Sequence, residues 1–513
     1  MSTALSLTGH DLTRRDFADV VLRGRRVALH ARARRAMGAS RRVVERMIRE
    51  KRLVYAVTTG VGSLSTEHID PAQARKLQLN VVRSHCCGVG EPLDVAETRG
   101  LMLLRANTLA AGLSGIRPRV AEVLCEMLNH RLHPMVPARG SVGASGDLTP
   151  LAHVALTLVG EGEVTVDRNF EARSRPVAAA TALRRAGLAP LVLEAKEGIS
   201  LVNGTQAMLS LGLLALAQAE ILADTADVAG SLSLDALRGS PVAFDERLQL
   251  ARPHAGQIET ARNLLRLNEG SAIRESHRDC AKVQDAYSLR CMPQVHGAVR
   301  DALAFARRTF EIEMNSATDN PLVFGEGDVL SGGNFHGQPV ATALDLMAIA
   351  LTQLGGISER RIDRMVNPLT SDLPPFLAGS PGIESGLMLV QVTAAALASE
   401  NKALAHPASV DSIPTSGNKE DYVSMGLTAA LKLKQVVANV TSILAIELLT
   451  ATHALDQLAP LETGRLAAKA KRLVRKVVSP LAGDRAHAPD IARVTEQVRR
   501  EEYARVLREG SPS

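Results

Sequence analysis

Val437, Val440, Leu444, Leu448, Ala451, Leu455 and Leu458 recur every three or four positions for more than five turns. Only an α-helix gathers residues so spaced onto one side, and the stretch predicts a long buried helix. The same periodicity marks residues 205–226, 294–314, 340–366 and 384–401. There the apolar residues fill more than one stripe, as interior helices with several neighbours require. The aromatic content agrees with this reading. With 8 Phe, 4 Tyr and no Trp in 513 residues, Val, Ile, Leu, Ala and Met must fill the core, a mixture suited to helix packed on helix. It also argues against a base-stacking surface for single-stranded nucleic acid.

Residues 1–200 are more broken. Gly, Pro and polar clusters recur at 58–65, 85–92, 112–118 and 134–150, separating helical stretches such as 97–111. Short β-like runs at 164–166 and 191–193 alternate with loops. The expectation is a mainly α chain with a mixed N-terminal domain over 1–200 and an elongated helical bundle over 201–513. Polar loops around 274–288, 318–337 and 404–421 interrupt the bundle.

The formal charge of +6 is local. Residues 1–52 hold 14 Lys/Arg against 5 Asp/Glu, and the remainder is slightly acidic. This predicts Arg-rich helices with solvated basic faces rather than a nucleic-acid site. Asp11, Asp16 and Asp19 interrupt the basic run and no secretory apolar segment follows Met1, so a cytoplasmic protein is expected. The longest apolar runs, 207–217 and 387–398, read as too short or too interrupted to span a bilayer, and no membrane partner is expected. Cys86, Cys87, Cys125, Cys280 and Cys291 form an odd, scattered set without C-x-x-C, which reads as reduced thiols and not a zinc site. His254, His296, His406 and His453 are likewise not metal-spaced.

The most unusual loop is Arg139-Gly-Ser-Val-Gly-Ala-Ser-Gly-Asp-Leu-Thr-Pro150. Three glycines, two serines and an alanine within eight residues permit close backbone approach. It lacks the Gly-Lys-Ser/Thr of a phosphate loop, and Gly follows Ser145 too soon for a nucleophile elbow. Two readings remain. Asp147 can cap a helix beginning at residue 148. Alternatively, the Gly146 amide nitrogen can attack the Ala144 carbonyl while Ser145 loses water, leaving an electrophilic imidazolone with an exocyclic methylene.

Further blocks follow in order: Leu201-Val-Asn-Gly-Thr-Gln206, Arg252-Pro-His-Ala-Gly-Gln257 and Val283-Gln-Asp-Ala-Tyr-Ser-Leu-Arg-Cys291. After them come Asn315-Ser-Ala-Thr-Asp-Asn-Pro321, Ser331-Gly-Gly-Asn-Phe-His336, Ser399-Glu-Asn-Lys-Ala-Leu-Ala-His406 and Asn418-Lys-Glu-Asp-Tyr-Val-Ser-Met425. Together with Gly143-Ala-Ser-Gly-Asp-Leu148 they resemble the aromatic amino-acid ammonia-lyases and aminomutases, most closely the histidine-specific members. The resemblance spans roughly residues 55–458. It implies a fumarase/aspartase-like helical fold, a homotetramer with active sites shared between subunits, and a small-molecule substrate, an aromatic L-amino acid. It implies a methylidene-imidazolone made from Ala144, Ser145 and Gly146, with no metal or nucleotide.

Such chemistry must activate both ends of the substrate. In the family the methylene of the imidazolone is attacked by the substrate amine, making it a better leaving group, and an enzymic base takes the β-proton. Tyr55, in Tyr-Ala-Val-Thr-Thr-Gly-Val-Gly62, matches the base loop, and Gly60 and Gly62 would let that loop close over substrate. Tyrosine titrates near about 10, so that role needs neighbours favouring phenolate. By matching motif, Asn203, Gln284, Tyr287 and Phe335 would surround the imidazolone. The fork of Arg290 would clamp the substrate carboxylate. His336 reads as structural.

For the substrate side chain the resemblance points to His85, in Ser84-His85, and to Glu420, in Lys419-Glu-Asp421. A carboxylate at 420 suits an imidazole and meets a phenyl ring poorly. Lys419 and Tyr422 stand where Gln and His are usual, and Ala56, Thr58 and Val61 also depart from the pattern. Lys419 either pairs with Glu420 or points away. The leading expectation is elimination of ammonia from L-histidine to give trans-urocanate. The alternatives are a tyrosine or phenylalanine ammonia-lyase, a 2,3-aminomutase, or a catalytically silent helical scaffold.

Overall fold

The computed structural model describes residues 3–50, 52, 59–60, 69–166, 174–278, 283–325 and 327–509. The chain forms two compact units. The first comprises Met1–Leu214, Arg307–Asp345 and Pro407–Leu431, and the second comprises Ala215–Ala306, Leu346–His406 and Lys432–Ser513.

In the first unit, Val95–Ala110 is the central helix. Asp94 and Glu97 form a reciprocal capping box at its start, with bonds of 2.9 and 2.8 Å. Its side chains are buried on every side, which the lack of a single apolar stripe requires. Pro118 opens the next helix, Pro118–Asn129, at a position where its missing N–H costs nothing. The Arg-rich segment folds as Arg14–Val21 and Ala31–Arg49, which bury Phe17, Met37, Val43, Val44 and Met47 and leave most guanidinium groups exposed. Arg41 is the exception, buried and donating to the Ala195 carbonyl at 2.8 Å.

Short strands fill the spaces between these helices. Leu5–Leu7 pairs in parallel with Val27–Leu29, and Val89–Pro92 pairs antiparallel with Pro137–Arg139. Leu132–Pro134, Glu163–Val166 and Val177–Ala178 make a three-stranded antiparallel sheet. The β-like run at 164–166 is thus a strand, whereas 191–193 is irregular. There the Leu191 amide donates to Leu158 O and the Val192 carbonyl accepts from Arg117, so these two groups are satisfied without a strand partner. The loop expected around 318–337 contains a hairpin, Leu322–Phe324 with Asp328–Leu330.

The second unit is helical. It holds most of Gln206–Ala236, Met292–Glu313, Gln338–Val366 and Gly426–Asp456, and all of Met388–Leu404. These are the five long helices anticipated from periodicity, each with ends shifted by a few residues or extended by a turn or more. Their length corrects one expectation. Gln206–Ala236, Gln338–Val366 and Gly426–Asp456 are each long and apolar enough to cross a membrane, because continuous helix carries the apolar character past the polar residues that seemed to break it. In their most apolar windows 78%, 61% and 89% of residues are buried by the protein itself. Within this core the Arg361 guanidinium grips the Glu447 carboxylate through two bonds of 2.5 and 2.8 Å, and Ser233 and Ser358 donate to the same carboxylate.

Candidate active site

The glycine-rich loop precedes the helix Leu148–Leu158. Asp147 occupies the position before that helix, but its side chain makes no capping bond there. Instead a carboxylate oxygen accepts from the Met208 amide at 2.8 Å, at the start of Gln206–Ala236. The capping reading therefore holds for position and fails for chemistry. Fully buried, Asp147 is pushed up to about 7, mainly by loss of solvent and against the Met208 bond.

The backbone between 143 and 146 is folded back on itself, with β-bridge pairings joining Gly143 to Gly146 and Ala144 to Gly146. Ser141 Oγ accepts from the Gly143 amide at 3.1 Å and donates to the Gly146 carbonyl at 3.2 Å, closing the loop from inside. Gly146 has φ +75°, and a Cβ there would lie 2.1 Å from the Gly204 carbonyl oxygen. Only glycine can occupy this place. The Gly204 amide donates to Ser145 O at 3.1 Å, and the Asp147 amide donates to Gly204 O at 2.6 Å. The backbone of 203–205 thus clamps the Ser145–Asp147 segment. A small residue, a serine and an unobstructed glycine amide in a compressed turn fit the imidazolone that the sequence suggests.

Beside this turn opens a cavity of about 230 Å³. Its walls include Ala144, Gly146, His85, Cys87, Thr415 and Glu420. His85 ends the helix Ala74–His85, and its Nδ1 hydrogen-bonds the Val81 carbonyl at 2.7 Å. Burial pushes the neighbouring Cys86 thiol up to about 12. Glu420 comes from an irregular segment and accepts from Thr415 Oγ at 2.8 Å. Lys419 is exposed, and its amide donates to Ser416 O.

Asn203 lies behind the turn rather than in the cavity wall. Its side-chain amide donates to Asn320 O at 3.0 Å and Asp319 Oδ1 at 3.4 Å. Phe335 is half-buried, and His336 beside it stacks on Tyr422 with ring centroids 6.2 Å apart. Gln284, Tyr287 and Arg290 belong to the second unit. Tyr287 is 71% exposed, and the Arg290 guanidinium lies 4.7 Å over its ring, a cation–π contact. Tyr55 and Gly62 lie outside the described residues. Sequence reasoning missed Asp147 as a buried acid, and also Gly204, Thr415 and Ser424. Gly204 lies within Leu201-Val-Asn-Gly-Thr-Gln206, directly after Asn203. Among the described residues no three His, Cys, Asp or Glu side chains gather as a metal centre would need.

A family model described as aromatic amino acid lyase matches residues 12–476. The chain belongs to this family. A histidine ammonia-lyase from Koribacter versatilis (strain Ellin345) is 56% identical over 519 residues, covering 98% of this chain and 99% of that one. The crystal structure of histidine ammonia-lyase from Trypanosoma cruzi matches with a TM-score of 0.90 at 39% identity, covering 100% of this chain and 96% of that one. Tyrosine aminomutase from Streptomyces globisporus matches with a TM-score of 0.93, also at 39% identity, covering 100% and 99%. The fold of this aromatic amino acid lyase is therefore the fumarase/aspartase-like helical one. Since a lyase and an aminomutase match its backbone about equally, substrate and outcome must be argued from side chains.

Proposed function

We propose that the chain is a carbon–nitrogen lyase that removes ammonia from L-histidine and releases trans-urocanate. The observation that carries this reading is the shared cavity, in which Glu420 and His85 line the same space as Ala144 and Gly146. An imidazole placed there meets a carboxylate able to accept its N–H and a histidine ring beside it, whereas a phenyl ring would strip water from Glu420 with no bond in return. The full-length similarity to histidine ammonia-lyases supports the same substrate.

In this reading the methylidene-imidazolone from Ala144, Ser145 and Gly146 supplies an electrophile for the substrate amine. Arg290 holds the substrate carboxylate through its two-pronged fork. Tyr55 takes the β-proton, and the Gly62 loop closes over the substrate. Asn203, Gln284, Tyr287 and Phe335 enclose the reacting end. Gln284, Tyr287 and Arg290 act on the site of another subunit in a homotetramer. The solvent exposure of Gln284 and Tyr287 in the single chain suits residues that await a partner. The free thiols Cys86, Cys87, Cys125 and Cys291 suit a cytoplasmic setting.

The test is incubation of the purified protein with histidine, tyrosine and phenylalanine in turn. Ultraviolet absorbance reports the conjugated acid, and chromatography reports any β-amino acid. Urocanate from histidine alone is expected. A cinnamate-type acid or a β-amino acid would move the assignment to another family member, and silence on all three with an unreacted Ser145 peptide would leave a scaffold.

A further inference from the structure

Behind the compressed turn sits a buried cation that the reaction just described does not use. Arg105, on Val95–Ala110, is completely buried. Its Nη1 donates to the Asn203 carbonyl and, at 3.0 Å, to Gln206 Oε1. Its Nε and Nη2 meet no acceptor among the described residues. Gln206 is itself fixed, donating to Thr318 Oγ at 2.7 Å and Thr108 Oγ at 3.1 Å. Gly204 makes this approach possible. Its φ is +137°, and a Cβ there would lie 2.4 Å from Gln206 Oε1 and 2.8 Å from Arg105 Nη1. Burial lowers Arg105 to about 10, with Asp319 opposing, which leaves it charged at neutral pH.

The guanidinium and Ser145 bind opposite ends of one peptide unit. The Asn203 carbonyl accepts from Arg105, and the N–H of that same peptide, belonging to Gly204, donates to Ser145 O at 3.1 Å. Hydrogen bonds in such a chain polarise one another, and a charged donor at the head strengthens the rest. From the far side, Asp319 is held by Lys196 Nζ at 3.1 Å and, with the Asn320 carbonyl, fixes the Asn203 side chain. We infer that Arg105 is a positioning residue for the self-made electrophile, acting through the Asn203–Gly204 peptide to draw electron density from the Ser145 carbonyl.

This inference rests on the reading that Ala144, Ser145 and Gly146 cyclise. Ring closure forms a bond from Gly146 N to the Ala144 carbonyl carbon. The Ala144 oxygen departs as water with the amide protons of Gly146 and Ser145. A second water takes the Ser145 hydroxyl and the Ser145 Cα proton, leaving the methylene, and no oxidant is consumed. Loss of the Cα proton is the step that Arg105 assists, because the electron pair left on Cα delocalises onto the Ser145 carbonyl oxygen. A stronger hydrogen bond at that oxygen stabilises the charge as it develops.

The test follows the peptide containing residues 144–146 by mass after cell-free synthesis of the full chain. The wild-type peptide should lose two waters. Arg105→Gln should lose them at least about tenfold more slowly, with helicity and oligomeric state unchanged, and Arg105→Lys should recover part of the rate. Water loss at the wild-type rate in folded Arg105→Gln would overturn the inference. If Arg105→Gln does not fold, Gln206→Met decides, since it loosens the guanidinium without removing it. Slower water loss in that variant supports the relay, and an unchanged rate overturns it. A wild-type peptide that keeps both waters would overturn the electrophile reading itself, a separate result.

Discussion

The Thr415 hydroxyl donates to a Glu420 carboxylate oxygen at 2.8 Å, and the backbones of the same two residues form an antiparallel bridge. This short loop holds the carboxylate in the wall of the cavity shared with His85 and Ala144. Glu420→Gln preserves size and removes charge. A hydrogen bond to a charged group is worth about 1.5–3 kcal/mol, so kcat/KM for histidine should fall roughly ten- to hundredfold. Steady-state kinetics with folding checked by circular dichroism measures this, and an unchanged kcat/KM would remove Glu420 from substrate recognition.

Gly146→Ala tests the compressed turn. The added methyl would sit 2.1 Å from the Gly204 carbonyl, in a backbone conformation that alanine adopts poorly. The clamp made by Gly204 must then open, at a cost of about 2 kcal/mol or more. The variant should retain both waters in its 144–146 peptide, release no ammonia and melt several degrees lower. Full ammonia release would contradict the packing described.

Asp147 predicts a pH dependence. Its folded value of about 7 lies above the ordinary 3.8, so folding favours the protonated form. The stability it contributes is complete below the unfolded value and is lost as pH rises through about 7. Asp147→Asn mimics the neutral acid at every pH. The melting temperature of this variant, relative to wild type, should therefore climb between about pH 4 and pH 7 and level off above that. A flat or falling difference across that range would mean that the carboxyl is charged in the folded protein.

The Arg361–Glu447 pair predicts a stability effect away from the site. Both side chains are wholly buried. Glu447→Leu strands a guanidinium in the helical core and should cost about 3–5 kcal/mol, whereas Arg361→Met combined with Glu447→Leu should recover most of it. Urea unfolding curves for the two variants make the comparison. Equal loss in both would show that shape, not charge, dominates there.

Much of this was legible in the sequence because it is local. Periodicity located the five long helices, and glycine content singled out the turn at 140–147 for tight backbone geometry. What escaped depends on pairings distant in the chain. Asp147 looked like a helix cap because its neighbours in sequence are a helix, and its actual donor, Met208, is 61 residues away. Gly204 looked incidental beside Asn203, although its carbonyl and amide hold both sides of Ser145–Asp147. The run at 191–193 has strand-like residues, but Arg117 and Leu158 take up two of its backbone groups. Nor does a change of composition near residue 200 reveal that residues 307–345 and 407–431 pack with the first unit.

That return of late segments bears on the timing of biosynthesis. Ser424 Oγ donates to the Gly143 carbonyl at 3.4 Å, and the Met425 amide donates to Val142 O at 2.8 Å. The compact turn therefore leans on residues translated some 280 positions later. On the ribosome the first 200 residues emerge without that brace. With its last wall near residue 425, the turn cannot reach its final packing until more than four fifths of the chain has been made.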